Sequence, residues 1–157
     1  MSFSLLIGSY FGTQDVVGQN GSVTYNIDWQ NVSKGYAGEY DVTFSFVTAG
    51  IAVSTANAFT PVLEWGAVPD AFAPTSITTT STGATNSFAL GFVKPLGLGG
   101  ASTGFFQADV NQNPPVRISG KPSQNQFRIK LVNVFSGGLL NLGNIAYTMN
   151  IRFQAVD

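Results

Sequence analysis

Apolar side chains recur at every second position over four well-separated stretches of this chain. Val23, Tyr25, Ile27 and Trp29 alternate with Ser22, Thr24, Asn26 and Asp28, and Tyr40, Val42, Phe44 and Phe46 alternate with Asp41, Thr43 and Ser45. Near the C-terminus Phe127, Ile129 and Leu131 alternate with Arg128, Lys130 and Val132. The longest set, Ile145, Tyr147, Met149, Ile151 and Phe153, alternates with Ala146, Thr148, Asn150, Arg152 and Gln154. A period of two is the period of a β-strand, whose successive side chains point to opposite faces, so each stretch predicts a strand with one set in a core. The last two strands read as a hairpin around the loop Ser136–Asn144, whose three leucines either tuck under the protein or form a contact knob for a neighbour.

Shorter runs complete the pattern. Met1–Gly8 carries no basic residue and an apolar run too short for a signal peptide, so it reads as a first strand. After the break at Gly50 comes a short apolar stretch, Ile51 to Val53. Phe59 to Trp65 is a strand interrupted by Pro61, which suits an edge position or a bulge because proline cannot donate to the ladder. Phe88, Leu90 and Phe92 alternate as core positions, and Lys94–Gly100 opens a loop. Phe105–Val110 and Val116–Gly120 are strands flanking the turn Asn111-Gln112-Asn113-Pro114-Pro115. The Ser/Thr-rich region 69–87 has almost no apolar periodicity and predicts a long loop where the chain crosses between sheets. About eight strands, no helical period and no internal repeat predict an all-β, two-sheet antiparallel sandwich, one domain over residues 1–157.

Composition adds one unusual feature. Charged residues are 10% of the chain, against about 25% in ordinary soluble domains, so Ser, Thr, Asn and Gln supply most of the polar surface. Short neutral groups lose little entropy or hydration when covered, which suits a surface meant for other subunits, or equally the surface of a secreted or adhesive β protein. The net charge of −1 hides an asymmetry. Residues 1–93 hold Asp15, Asp28, Glu39, Asp41, Glu64 and Asp70 against Lys34, a sum of −5; residues 94–157 hold Lys94, Arg117, Lys121, Arg128, Lys130 and Arg152 against Asp109 and Asp157, a sum of +4. Either interleaved strands balance these charges internally, or acidic and basic edges meet between neighbouring subunits.

The chemical inventory points away from catalysis. With no His and no Cys, Ser-His-Asp triads, Cys-His dyads, disulfides and the common zinc sites are all absent. A glycosidase needs only two carboxylates, and Glu39, Asp41 and Glu64 are the candidates, but nothing in their spacing brings two together. Asp109-Val110-Asn111-Gln112-Asn113 imitates the start of a calcium loop and then fails, with Pro114 at the sixth position and Gly120 at the twelfth. The glycines at 97, 99 and 100 and the segment Gly120-Lys121-Pro122-Ser123 lack the rest of any nucleotide motif. Arg117, Lys121, Arg128, Lys130 and Arg152 could form a basic stripe, yet a slightly acidic chain without aromatics on that face reads as having no specific nucleic-acid partner. Trp29 and Trp65 suit a core, a subunit interface or a sugar platform. Asn20-Gly21-Ser22 and Asn31-Val32-Ser33 match the glycosylation sequon by spacing alone. No catalytic, cofactor or metal site and no membrane span is expected.

The N-terminal strand, the strand Tyr40-Asp41-Val42-Thr43-Phe44-Ser45-Phe46, the Ser/Thr-rich centre and the closing strand Tyr147-Thr148-Met149-Asn150-Ile151-Arg152-Phe153 together resemble the viral single jelly roll. The resemblance is to penton and minor capsid proteins of large icosahedral DNA viruses, and it covers nearly the whole chain. It implies eight strands in two four-stranded sheets of jelly-roll type and a non-enzymatic structural role in the virion capsid. It also implies a homo-oligomer, a pentamer at a vertex or a smaller cementing unit, with contacts to other capsid proteins. No long arm is expected at either end, which leaves loops and sheet edges for those contacts. The alternative is a carbohydrate-binding or receptor-binding sandwich.

Overall fold

A computed structural model of the chain describes residues 2–28, 39–48, 51–52, 58–64, 87–96, 103–119, 125–140 and 146–156. Their elements, in order, are β1 (Phe3–Gly8), a 3-10 turn (Ser9–Phe11), β2 (Thr13–Gln14), β3 (Ser22–Asn26), β4 (Glu39–Thr48), β5 (Ile51–Ala52), β6 (Phe59–Glu64), β7 (Ser87–Ala89), β8 (Lys94–Leu96), β9 (Thr103–Ala108), β10 (Val116–Ser119), β11 (Gln126–Asn133) and β12 (Tyr147–Ala155). Trp29, Asn31, Trp65, Ile77, Leu142, Ile145 and the glycine-rich loops 97–100 and 120–123 lie outside the described residues.

Two antiparallel sheets form the sandwich. One runs β1-β12-β4-β9-β5, with β10 also on β4 and β8 on β9; the other runs β2-β3-β11-β6-β7. Early strands pair with late ones in nested fashion: β1 with β12, β3 with β11, β4 with β9 and β10, and β6 with β7. A chain paired in this way is one long hairpin wrapped around a barrel axis, which is the jelly roll. The sheets carry seven and five strands rather than four each, because the short β2, β5 and β8 extend the edges. β9 and β10 share one lane along β4, and residues 109–115 loop out between them.

The core lies between the sheets. Tyr40, Val42, Phe44 and Phe46 meet Val23, Tyr25, Ile129, Leu131 and Leu63 there, all nearly inaccessible to solvent. Fully burying one such side chain contributes roughly 1.5–3 kcal/mol relative to leaving it exposed. Phe46 of β4 meets Phe59 of β6 edge-on at 5.3 Å and stacks on Tyr147 at 5.0 Å, an arrangement that rings favour beyond area burial. Where ladders lapse, hydroxyls take over: the Phe106 amide donates to Thr48 Oγ1 at 2.9 Å and the Tyr147 amide to Ser9 Oγ at 3.1 Å.

The structure differs from the sequence expectations in which strands pair and which side chains are exposed. β6 and β7 are hydrogen-bonded neighbours, so the strands on either side of region 69–87 belong to one sheet and not to two as expected; residues 65–86 themselves lie outside the described residues. β11 and β12 lie in different sheets and are not a hairpin, because each pairs with an early strand. Lys94–Leu96 forms β8, where Pro95 is tolerated because β9 is its only strand partner among the described residues. β6 is not an edge strand: β11 flanks it on one side and β7 on the other. Pro61 sits where the β7 ladder ends, accepting from the Leu90 amide at 2.9 Å.

Phe92 is 60% exposed despite its alternation with Phe88 and Leu90, and so is not a core residue as expected. Leu90 faces Pro61 and Val93 bridges Phe59, so Gly91 and Phe92 together oppose Thr60 alone. That is a β-bulge, and the extra residue turns the Phe92 side chain out of the core. Gly91 has φ +146, and a Cβ there would lie 2.5 Å from Asn113 Cγ, so only glycine fits.

Candidate functional site

Of the carboxylates considered for acid–base work, Glu64 is held apart from Glu39 and Asp41, which share one strand face and both pair with Arg117. Glu39 and Asp41 alternate with the buried Tyr40 and so project from the outside of the seven-stranded sheet, whereas Glu64 projects from the outside of the five-stranded sheet. Two sheets packed about 10 Å apart separate them, more than a glycosidase pair allows. Among the described residues no cluster of three or more Asp or Glu could hold a metal ion. The calcium-like segment is a closed turn: the Gln112 amide donates to Asp109 O, and the Asp109 amide to Gln112 Oε1, each at 3.0 Å. Asn20 of the first sequon is fully buried and accepts from Gln14 Nε2 at 2.5 Å. No described helix is long and apolar enough to cross a membrane.

The outer face of the seven-stranded sheet is open. Register aligns Ser4, Arg152 and Thr43 in one row, Leu6, Asn150 and Ser45 in the next, then Gly8, Thr148 and Val47. Leu6 is 72% exposed and Val47 44% exposed. Beside them a shallow depression of about 230 Å³ is lined by Gln107, Thr148 and Asn150. Charges gather at one end, where Arg117 Nε donates to Asp41 Oδ1 at 2.6 Å and Arg117 Nη1 lies 3.8 Å from Glu39. The hydrogen bond to Asp41 raises the guanidinium further above its ordinary range, opposed by desolvation, with the charges of Asp41 and Glu39 adding smaller upward contributions.

The five-stranded sheet turns a different face outward. Glu64 pairs with Lys130 Nζ at 2.8 Å and Arg128 Nη1 at 3.4 Å, and Arg128 Nε reaches Asp15 at 2.8 Å. Asp15 also accepts from the hydroxyls of Ser22 and Thr24. Each of these ion pairs, like those of Arg117, joins a basic residue from 94–157 to an acid from 1–93. Among the described residues, these pairs balance early acids against late bases internally, because nested pairing sets late strands against early ones. Among the described residues the basic stripe does not form: Arg128 and Lys130 lie on one sheet, Arg117 and Arg152 on the other, and Lys121 lies outside those residues.

Between the sheets, Tyr25 Oη and Tyr147 Oη lie 3.3 Å apart, and Tyr25 Oη donates to Gly8 O at 3.2 Å. Burial pushes the Tyr25 phenol up to about 12, with its hydrogen bond to Tyr147 opposing the shift slightly. Burial, reinforced by Tyr25, also raises Tyr147 well above the usual range. This pair is a structural tie.

One apolar cleft, of about 500 Å³, opens beside the bulge. The Asn113 amide clasps the bulge from the facing loop, Oδ1 accepting from Phe92 N at 2.9 Å and Nδ2 donating to Phe92 O at 3.1 Å. Leu90, Val116 and Val132 form the floor, and Val134 and Gly137 bring the turn after β11 to the rim. Leu140 is buried and Leu139 is 52% exposed, so one loop leucine tucks in and one faces out. Sequence alternation missed this cleft by assigning Phe92 to the core; the signal available was Gly91 inside a strand pattern.

The strand order defines the class, a jelly-roll sandwich. No protein-family model matches the chain, and no curated protein matches it.

Proposed function

We propose that the chain is a structural subunit of a virion, a capsid component of penton or minor type that works by binding copies of itself and neighbouring capsomers. The supporting observation is the outer face of the seven-stranded sheet, where Ser4, Thr43, Ser45, Thr148 and Asn150 surround Leu6 and Val47 with a single cation, Arg152, among the central rows. Such a face loses little hydration or side-chain entropy when another subunit covers it. The proposed role is not enzymatic, in keeping with the separation of Glu64 from Glu39 and Asp41 and with the pairing of those two to Arg117. Trp29 and Trp65, on which a sugar-binding reading rests, lie outside the described residues.

Solution mass measured by light scattering over a wide concentration range tests this. A defined oligomer, five copies for a vertex subunit, is expected. A protein that stays monomeric at every concentration and does not bind capsids overturns the proposal.

A further inference from the structure

We propose that the apolar cleft beside the bulge seats Phe135 from a second copy of the chain, reciprocally, about a two-fold axis. This rests on the self-association reading above and assigns it a particular contact. Phe135 is 73% exposed, yet its backbone is firmly held. Asn133 Oδ1 accepts from the amides of Phe135 at 2.8 Å and Ser136 at 3.1 Å, the Gly137 amide donates to Asn133 O, and the Asn133 amide donates to Gly138 O. A large ring displayed on a turn already ordered in this way has little further entropy to lose on docking.

The cleft suits that ring. A cavity of about 150 Å³ holds a benzene molecule, so about 500 Å³ accommodates a phenyl ring with part of the turn that carries it. No ionisable side chain is among the described residues lining it. That matters for a copy of the same chain, because a two-fold axis brings each group near its own duplicate and would set like charges together.

Knob and rim also share one turn: Val134 and Gly137 line the cleft while Phe135 stands between them in sequence. Seating Phe135 of one copy therefore brings the other copy's Phe135 to the first copy's cleft. The contact is pairwise and closes on itself, unlike the head-to-tail contact of a ring.

The experiment is sedimentation of the wild type, Phe135→Ala, Phe135→Tyr and Pro114→Arg across concentration, at low and high salt. Both positions are exposed, and circular dichroism checks that each variant is folded. The wild type and Phe135→Tyr should show a concentration-dependent doubling of mass, of the single chain or of a ring, that high salt does not weaken. Phe135→Ala and Pro114→Arg should need at least about thirty-fold more protein for the same doubling, the loss typical of truncating an aromatic anchor. A ring that never pairs, or pairing unchanged in folded Phe135→Ala, overturns the cleft contact and leaves the self-association reading standing. A monomer throughout overturns both.

Discussion

The two sheets obey the same period-two rule and yet present opposite outer faces. On the seven-stranded sheet the outward set is solvent-exposed at Ser4, Leu6, Thr148 and Asn150. On the five-stranded sheet Thr60, Val62, Glu64, Lys130 and Val132 also point away from the sandwich core, and all are buried. Alternation sorts side chains into two sets, but it does not decide which set meets water. Composition within the set carries that information in part. An exposed face can be written in Ser, Thr and Asn with scattered apolar residues, whereas a buried face containing charge must pair it, as Glu64 is paired with Lys130.

The largest expected effect tests that contrast directly. Lys130→Ala leaves Glu64 buried with Arg128, at 3.4 Å, as the other cation beside it among the described residues, and removing one partner of a buried pair costs about 3–5 kcal/mol. Replacing both, Glu64→Leu with Lys130→Met, should recover most of that loss, since apolar residues of similar volume are often neutral or better at such sites. Asn150→Ala on the open face should stay within about 0.5 kcal/mol of wild type. Denaturant unfolding of the four proteins measures all three differences. If Lys130→Ala costs no more than Asn150→Ala, the two outer faces are alike.

The next effect arises where the sheets meet. Tyr25 and Tyr147 bind their protons more tightly in the folded protein, so the unfolded chain ionises first as pH rises above 10. Stability supplied by these phenols is complete below pH 10. It is lost as pH climbs toward about 12, where Tyr25 ionises in the fold, with a slope of up to about 1.4 kcal/mol per pH unit for each tyrosine. Tyr25→Phe should flatten that slope between pH 10 and 12, as read by denaturant unfolding at stepped pH. An unchanged slope would mean that burial is not what holds the Tyr25 phenol neutral.

Much of the fold was legible because its signals are local. Tyr40–Phe46, Phe127–Leu131 and Tyr147–Phe153 each alternate over enough residues to predict a strand and its inward face, and all three patterns match the core. Partner choice was not legible in the same way. Nothing near Arg128 indicates that β11 pairs with β3 and β6 rather than with β12, since pairing is settled by strands distant in sequence. Phe92 fails for a related reason. Its alternation is correct until Gly91 inserts an extra residue opposite Thr60, and the clasp from Asn113 comes from a loop that sequence alone does not place beside it. The cleft was invisible for the same cause, being assembled from three separate connections.

The smallest expected effect sharpens the comparison through salt. Arg117 stands directly opposite Asp41 across β10 and β4, with side chains 44% and 33% exposed. Water and ions reach this pair, so its short hydrogen bond adds little net stability and the attraction is screened. Guanidinium remains protonated throughout the accessible range, so raising its pKa further adds no pH dependence at neutrality. Arg117→Ala should therefore destabilise slightly at low salt and become indistinguishable from wild type at high salt. The deficit of Lys130→Ala should persist under both conditions, because counter-ions do not enter a buried pair. If instead the Arg117→Ala deficit survives salt and rivals that of Lys130→Ala, the end of the seven-stranded face near Arg117 is as shielded from solvent as the face that carries Glu64.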